Sequence, residues 1–310
     1  MQGSSAKLTR VRSAFAAVCA CLLALPAGAE QGALVVVLDP GHGGKFPHDG
    51  AHGRAGLVEK DISLAVAQKT KELLEAAGAT VILTRENDDD VSLAERARVA
   101  NEAGADLFLS IHCNSMEKRE DRKVTRGVET YFLSPDPTDA EAKMLAELEN
   151  GGPDAVPLPR AVSAVEGILN DLALGQARND SAALARLVQN HVIRGTRAES
   201  RGVRQAPFLV LSGTRMPSVL VEIGFISHPQ EGRRLGKEKY QFKVAAALSE
   251  AVRDFADKVL ARRLFAQART LPLATAVNDA ATPVSAAPAP AVEAPPVQAA
   301  GIVASPDGTR

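Results

Sequence analysis

Residues that could do chemistry follow or interrupt apolar runs at three places in the chain. The runs are "VVVLDPGHGG", "LFLSIHCNS" and "VLVEIGF" (35–44, 107–115 and 219–225). The first carries His42, the second His112, and the third Glu222 between two apolar residues. Burying an unpaired carboxylate or imidazole is costly, and a metal ion shared by these side chains would remove much of that cost. Because ligands of open α/β sheets bind beyond the carboxyl ends of the strands, we expect these side chains to lie together.

Glu59 is the expected third ligand, because it opens a helix that starts at the same sheet edge as the loop of His42. Two imidazoles and one carboxylate with an open fourth position are typical of a hydrolytic zinc site. Zinc lowers the pKa of its water to about 7 and polarises a carbonyl. Glu222 would act as the general base and then return the proton to a leaving amine.

Each of these residues also has an ordinary structural interpretation. His42 could be a turn residue, His112 a hydrogen-bonded histidine, and Glu59 an acid favoured by the helix dipole. His48 and His52 are rival ligands, although their Gly/Pro-rich surroundings favour a loop lining the cleft. The convergence of four polar side chains on one edge favours a site.

The elements that would position these residues alternate between strands and helices. Helical spacing predicts helices over 61–78, 92–104, 138–149, 161–195 and 238–263. Candidate strands are "ALVVVL", "ATVILT", "ADLFLSI", "GVETYFL", "APFLVL" and "SVLVEIGF" (33–38, 79–84, 105–111, 127–133, 206–211 and 218–225). The order predicts an α/β fold with a single six-stranded, mostly parallel sheet and helices on both faces.

The stretch between the fourth and fifth candidate strands is too long for a plain crossover. A crossover needs only about a dozen residues, whereas this stretch runs from 134 to 205. We therefore expect a helical insertion over about 140–200.

Both ends of the chain differ in composition from the middle. A basic start, the apolar run "AFAAVCACLLALP" and small residues up to Ala29 predict a secretory signal peptide over 1–29. Residues 266–310 are rich in Ala and Pro and predict a disordered tail. This leaves a catalytic domain over 30–265. Its one thiol, Cys113, is read as packing and excludes an intramolecular disulfide.

Charge and the length of the apolar run indicate which partners and which location to expect. A formal net charge of −1 and the absence of a Lys/Arg run argue against nucleic acid. The apolar run of the signal is too short for a membrane span, so we expect no span after its cleavage. We expect an exported, periplasmic monomer.

The motifs, taken together, resemble the zinc-dependent N-acetylmuramoyl-L-alanine amidases of the bacterial cell wall, the type-3 amidases. The resemblance covers roughly 34–258 and follows the order of the family's motifs. These are "VVLDPGHGG", "GLVEKDI", "LTR", "SLAERARVAN", "DLFLSIHCNS", "GVETYFLS" and "PSVLVEIGFISHPQE".

The resemblance implies hydrolysis of the amide between N-acetylmuramic acid and the L-Ala of the peptidoglycan stem peptide. It implies the same assignment that the strands suggest, with one Zn²⁺ on His42, Glu59 and His112 and with Glu222 as the catalytic carboxylate. It places Arg85 and Asn114 in supporting roles.

The long insertion resembles that of division-associated members of the family. This implies a role in wall remodelling and daughter-cell separation. It also implies a glutamate that caps the metal until a murein-hydrolase activator protein displaces the insertion. The candidates are Glu149, Glu147 and Glu166.

Two other functions remain open from the sequence. One is a zinc peptidase that cuts within stem peptides. The other is a non-catalytic module that binds the wall or a partner and keeps a structural metal. A structural zinc is usually closed by four ligands, often Cys, which disfavours the second.

Overall fold

The computed structural model describes residues 33–151 and 164–270, without the side chains of 164–174, 259, 260 and 262–270. The predicted signal peptide, residues 152–163 of the insertion and residues 271–310 of the predicted tail lie outside the described residues. None of the helices described is both long and apolar enough to cross a bilayer.

The described chain alternates strands and helices in the predicted order. The strands are β1 (Val35–Pro40), β2 (Thr80–Leu83), β3 (Leu107–Asn114), β4 (Val128–Leu133), β5 (Ser200–Ala206) and β6 (Ser218–Phe225). The helices are α1 (Glu59–Ala76), α2 (Leu93–Glu102), α3 (Ala140–Glu149), α4 (Ala164–Thr196), α5 (Leu209–Ser212), α6 (Glu231–Leu235) and α7 (Glu238–Thr270). Helices α3 and α4 lie between β4 and β5, so the predicted helical insertion is present.

The six strands form one sheet in the order β2-β1-β3-β6-β4-β5. Strand β4 is antiparallel to β6, and the other neighbouring pairs are parallel. The predicted fold class is therefore confirmed. This topology brings the carboxyl ends of β1, β3 and β6 to the edge where β4 and β5 begin.

Two hydrophobic clusters, one on each side of the sheet, hold the helices in place. Helices α1, α4 and α7 cover one face, through residues such as Val66, Val188 and Leu248. Helices α2, α3 and α5 cover the other, through residues such as Leu145 and Leu211. His112 of β3 and Glu222 of β6 point toward this second face. Side chains alternate along a strand, so His112 lies on the same side as Phe108, and Glu222 on the same side as Leu220. Phe108 and Leu220 both belong to the second cluster.

The prediction of a strand over 206–211 is wrong. The fifth strand is Ser200–Ala206, and helix α5 follows it. Pro207 has no backbone N–H and cannot extend the ladder. As the edge strand, β5 needs no continuous apolar run, which is why its polar sequence carried no strand signal.

Asp39 ties together four elements where β1 ends. The side chain is 1% exposed and accepts hydrogen bonds from Thr84 Oγ1 at 2.5 Å, Arg96 Nη1 at 2.7 Å and Ser110 Oγ at 2.7 Å. Burial opposes the charge, but Arg96 and the hydroxyl donors hold the pKa of Asp39 below its usual value. The contacts link β1 to the residue after β2, to α2 and to β3.

We predict that Asp39→Asn lowers the free energy of unfolding by about 3–5 kcal/mol, because it leaves the buried Arg96 without a counter-charge. The matched control is Arg98→Gln, which removes an exposed ion pair with Glu95 and Glu102. Urea unfolding followed by circular dichroism measures both. Equal midpoints for the two variants would contradict the role of Asp39.

Candidate active site

Four side chains converge at the sheet edge. Glu59 reaches His42 Nε2 through Oε2 at 3.3 Å and His112 Nδ1 through Oε1 at 3.1 Å. Glu149 Oε2 lies 3.2 Å from His42 Nε2 and 3.1 Å from His112 Nδ1. The two imidazole rings meet edge to face, with their centroids 4.9 Å apart. The predicted ligands His42, Glu59 and His112 are thus brought together, and one capping candidate, Glu149, joins them.

Two buried arginines hold the turn that carries His42. Arg85 donates from Nε to the Pro40 carbonyl at 3.0 Å and from Nη2 to the Gly41 carbonyl at 2.9 Å. Arg96 donates from Nη1 to Pro40 at 2.8 Å and from Nη2 to the His42 carbonyl at 2.8 Å. His42 itself has a φ of 58°, a strained conformation that persists only where the surrounding structure enforces it. Arg85, which was predicted to support the site, thus binds the turn that carries His42. Arg96 binds the same turn and was not identified from the sequence.

Close approach of the backbone makes two glycines necessary here. A Cβ on Gly41 would lie 2.5 Å from the ring of His112. A Cβ on Gly50, whose φ is +79°, would lie 2.6 Å from the ring of His42 and 2.8 Å from Glu59 Oε2. Any larger residue at either position would displace the imidazoles.

Glu59 is oriented by the backbone on both sides. It is the first residue of α1, which begins two residues before the predicted helix, and it is 1% exposed. Its Oε1 accepts the Cys113 N–H at 2.8 Å and its Oε2 accepts the Ala51 N–H at 2.9 Å. Each oxygen therefore has a further lone pair with which it could bind a metal ion beside the histidines.

The two histidine nitrogens are buried without a hydrogen bond of good geometry from the described residues. They nevertheless stand 3.1–3.3 Å from carboxylate oxygens. Ligand atoms arranged tetrahedrally at about 2.0–2.2 Å from an ion are roughly 3.3–3.6 Å from one another. The nitrogen–oxygen distances observed here are close to that spacing. Ligand atoms of His42, His112 and Glu149 all lie within 4.8 Å of one another and could hold a metal ion.

The charges in this cluster stabilise one another. Burial works against charging the imidazoles, but Glu59 and Glu149 raise the pKa of His42 to about 11 and that of His112 to about 10. Burial likewise works against the carboxylates, but the histidines lower the pKa of Glu149 to about 2 and that of Glu59 below its usual range. The carboxylates therefore favour positive charge between them, which a cation bound by neutral imidazoles would provide.

Glu222 lies in β6 directly beside His112 of β3 in the strand register. It is 0% exposed, and neither carboxylate oxygen has a hydrogen-bond partner among the described residues. Burial raises the pKa of Glu222 well above its usual value; His112 opposes the shift, and Glu59 and Glu149 add to it. A raised pKa makes the carboxylate form a stronger base, which suits a group that takes up and returns a proton.

On the other side of Glu222, strand β4 places a second buried carboxylate, Glu129. Unlike Glu222 it is fully partnered. Its Oε1 accepts from Asn114 Nδ2 at 2.9 Å and lies 3.3 Å from Arg201 Nε. Its Oε2 accepts from Tyr131 Oη at 3.0 Å and lies 3.3 Å from Arg204 Nε. Asn114, predicted to support the site, thus contacts Glu129 instead of the histidine cluster.

Other candidate residues lie apart from the cluster. Glu147 is 44% exposed and faces Lys143 at 3.8 Å. The side chain of Glu166 lies outside the described residues. The rival ligands pair with aspartates, His48 with Asp90 at 2.7 Å and His52 with Asp49 at 2.9 Å.

Comparison with known proteins identifies the class. Residues 36–254 match the N-acetylmuramoyl-L-alanine amidase family, Amidase_3. The amidase AmiA of Escherichia coli is 36% identical over 71% of this chain and 75% of its own length. The solved amidase AmiC2 of Nostoc punctiforme is 30% identical, covers 72% of this chain and 97% of its own, and superposes with a TM-score of 0.54.

The chain belongs to the N-acetylmuramoyl-L-alanine amidase family. It is a hydrolase that acts on cell-wall peptidoglycan. A third similar protein is the CwlD amidase of Clostridioides difficile, solved in complex with the GerS lipoprotein. It is 26% identical, covers 72% of this chain and 98% of its own, and has a TM-score of 0.53.

We predict opposite stability effects for the two neighbouring glutamates. Glu222→Met replaces an unpartnered carboxyl and raises the free energy of unfolding of the metal-free protein by about 1–3 kcal/mol. Glu129→Met leaves two arginines without their buried partner and lowers it by about 3–5 kcal/mol. A raised carboxyl pKa means that folded protein binds the proton more tightly, so stability falls as pH rises. The gain from Glu222→Met should therefore be larger at pH 7 than at pH about 4.

Chemical denaturation after chelation, at both pH values, measures these changes. A loss of stability in Glu222→Met, or a gain that is the same at the two pH values, would show that Glu222 is paired in the folded protein.

Proposed function

We propose that this chain is a zinc-dependent amidase that cleaves the bond between N-acetylmuramic acid and the L-Ala of the stem peptide. In this proposal His42, Glu59 and His112 hold the ion and Glu222 is the general base. The observation that carries it is the cluster of buried donors at ligand spacing, with an unpartnered carboxyl in the adjacent strand position. The donor set of two imidazoles and a carboxylate fits a hydrolytic zinc site.

Zinc in such a site polarises the carbonyl and makes a water molecule acidic at neutral pH. Glu222 takes the proton of the attacking water and gives it to the nitrogen of the departing stem peptide. Glu59 keeps its orientation through two backbone N–H groups, so its oxygens face the imidazoles throughout. Arg85 and Arg96 fix the turn, so that His42 does not move away when substrate binds.

We also propose that Glu149 caps the site at rest. It is the last residue of α3, its side chain is 10% exposed, and its Oε2 contacts both histidines. A carboxylate in this position would take the ligand place that a water or a substrate carbonyl needs. Glu147 and Glu166 remain candidates from the sequence, but only Glu149 has described contacts to the cluster.

We also propose where the protein acts, in which process, and how the cap is released. Peptidoglycan lies outside the cytoplasmic membrane, so we infer export to the periplasm through the N-terminal signal and a role in daughter-cell separation. Release of the cap would need a protein activator. The CwlD amidase, solved in complex with GerS, shows that a similar fold can bind a partner protein.

The proposed catalytic roles predict which product is released and how much activity the Glu222→Gln variant loses. Full-length protein loaded with zinc should release intact stem peptides from peptidoglycan, as seen by mass spectrometry of the digest. Trimmed stems would instead indicate a peptidase. Glu222→Gln should bind one zinc per chain, measured by metal analysis, and hydrolyse at least about a hundredfold more slowly. Hydrolysis at the parental rate by this variant would contradict the role of Glu222.

The cap predicts that Glu149→Ala increases hydrolysis in the absence of any partner, by roughly tenfold or more, because one ligand competing for the ion is removed. Glu147→Ala is the matched control, since it truncates an exposed glutamate of the same helix. Initial rates on purified peptidoglycan compare the three proteins. If Glu149→Ala is no faster than Glu147→Ala, Glu149 does not cap the site.

A further inference from the structure

A straight row of register partners crosses the sheet from the histidine cluster to its edge. His112 of β3 faces Glu222 of β6, which faces Glu129 of β4, which faces Gly202 of β5. Neighbouring strands lie about 4.8 Å apart, so the three steps put β5 roughly 14 Å from His112. The far end of this row is occupied by two arginines, Arg201 and Arg204.

A bulge puts both arginines on the same side of the sheet. Residues three apart on a regular strand point to opposite faces. Here Arg201 is skipped in the pairing, because Ser200 pairs with Val128 and Gly202 with Glu129. Bulges of this kind re-aim a side chain. Both Nε atoms consequently lie 3.3 Å from Glu129, and the Arg201 guanidinium also lies 5.2 Å from the ring centroid of Phe225.

The outer nitrogens of the arginines meet acids from helix α3. Arg201 Nη2 contacts Glu141 Oε1, and Arg204 Nη1 lies 3.0 Å from Glu141 Oε2. Arg204 Nη1 also lies 3.4 Å from Asp139 Oδ1. The acids are 45% and 43% exposed, whereas the arginines are only 19% and 15% exposed. The arginines are thus the inner members of these ion pairs, and the acids at the start of α3 are the outer ones.

Helix α3 carries a carboxylate at each end of the row. Glu141 and Glu149 are eight positions apart, so they are separated by roughly 12 Å at about 1.5 Å per residue. Glu149 meets the histidines and Glu141 meets the arginines. A peptide in extended form covers the same distance in about four residues, at roughly 3.3–3.6 Å each.

We propose that Arg201 and Arg204 form a subsite for a carboxylate of the substrate's peptide, about four residues from the scissile amide. This inference rests on the proposed function and on displacement of α3. Glu141 and Asp139 would occupy at rest the place that the peptide carboxylate takes during hydrolysis. The inner side of each guanidinium is held by Glu129, so the outer side is pre-oriented for a two-point contact with a carboxylate. Exposed ion pairs contribute little net stability, so the exchange of one carboxylate for another is easy.

The test compares two muramoyl-tetrapeptides that differ only in whether the peptide carboxylates are free or amidated. Full-length protein carrying Glu149→Ala serves as the uncapped parent, and calorimetric binding is measured beside kcat and KM. We expect the parent to favour the acidic peptide by about tenfold, mainly through KM, as a charge-assisted contact would produce. Arg201→Gln and Arg204→Gln should bring the ratio between the two peptides close to one, and the lysine variants should restore part of it.

Arg186→Gln is the matched control, because Arg186 is an exposed arginine of α4 on the opposite face of the sheet. It should keep the parental ratio. Slower hydrolysis of both peptides with an unchanged ratio would mean that the arginines only support Glu129, and the subsite would be wrong. A parent that hydrolyses neither peptide would defeat the proposed function. In that case calorimetry still decides the subsite, since equal binding of the two peptides by the parent overturns it.

Discussion

The structure depends on keeping four polar side chains out of water at one edge of an apolar sheet. Carboxylate oxygens of Glu59 and Glu149 lie 3.1–3.3 Å from His42 Nε2 and His112 Nδ1, and these two nitrogens have no hydrogen-bond partner among the described residues. Groups of this kind are stable only if their charges balance. Because this balance depends on short distances between the charged groups, the surrounding structure must hold the four side chains in place.

That framework is supplied by buried side chains that bind the backbone around the site. Asp39 joins Arg96 to β1, and Arg96 and Arg85 then hold the three carbonyls of the turn before and at His42. The same principle recurs at the other end of the row, where Glu129 holds the arginines of β5. Glu222 stands between these rigid regions without a partner among the described residues, a cost to folding that the proposed proton-transfer role would explain.

Much of this arrangement could be predicted from the sequence, because strong apolar runs place polar residues at their ends. His42, His112 and Glu222 stood out for this reason, and Glu59 followed from the start of a helix. The edge strand β5 could not be recognised, since an edge strand is free to be polar and Pro207 separates it from the apolar residues that follow. Arg96, Arg201 and Arg204 were missed because charged residues in a helix or in a polar segment normally face solvent. Glu129 lies inside the predicted strand over 127–133 and carries the same signal as Glu222, an acid within an apolar run, but it was not singled out. Only the packing of α2 and the bulge in β5 show that the three arginines turn inward.

The most direct measurement is an anomalous X-ray diffraction experiment at the zinc edge on crystals of the full-length protein grown with zinc. We expect one peak at about 2.0–2.2 Å from His42 Nε2, His112 Nδ1 and a Glu59 oxygen, with the Glu222 carboxyl beside it. A peak bound by His48 or His52, or a zinc-loaded crystal in which the His42 and His112 nitrogens hold no metal, would contradict it.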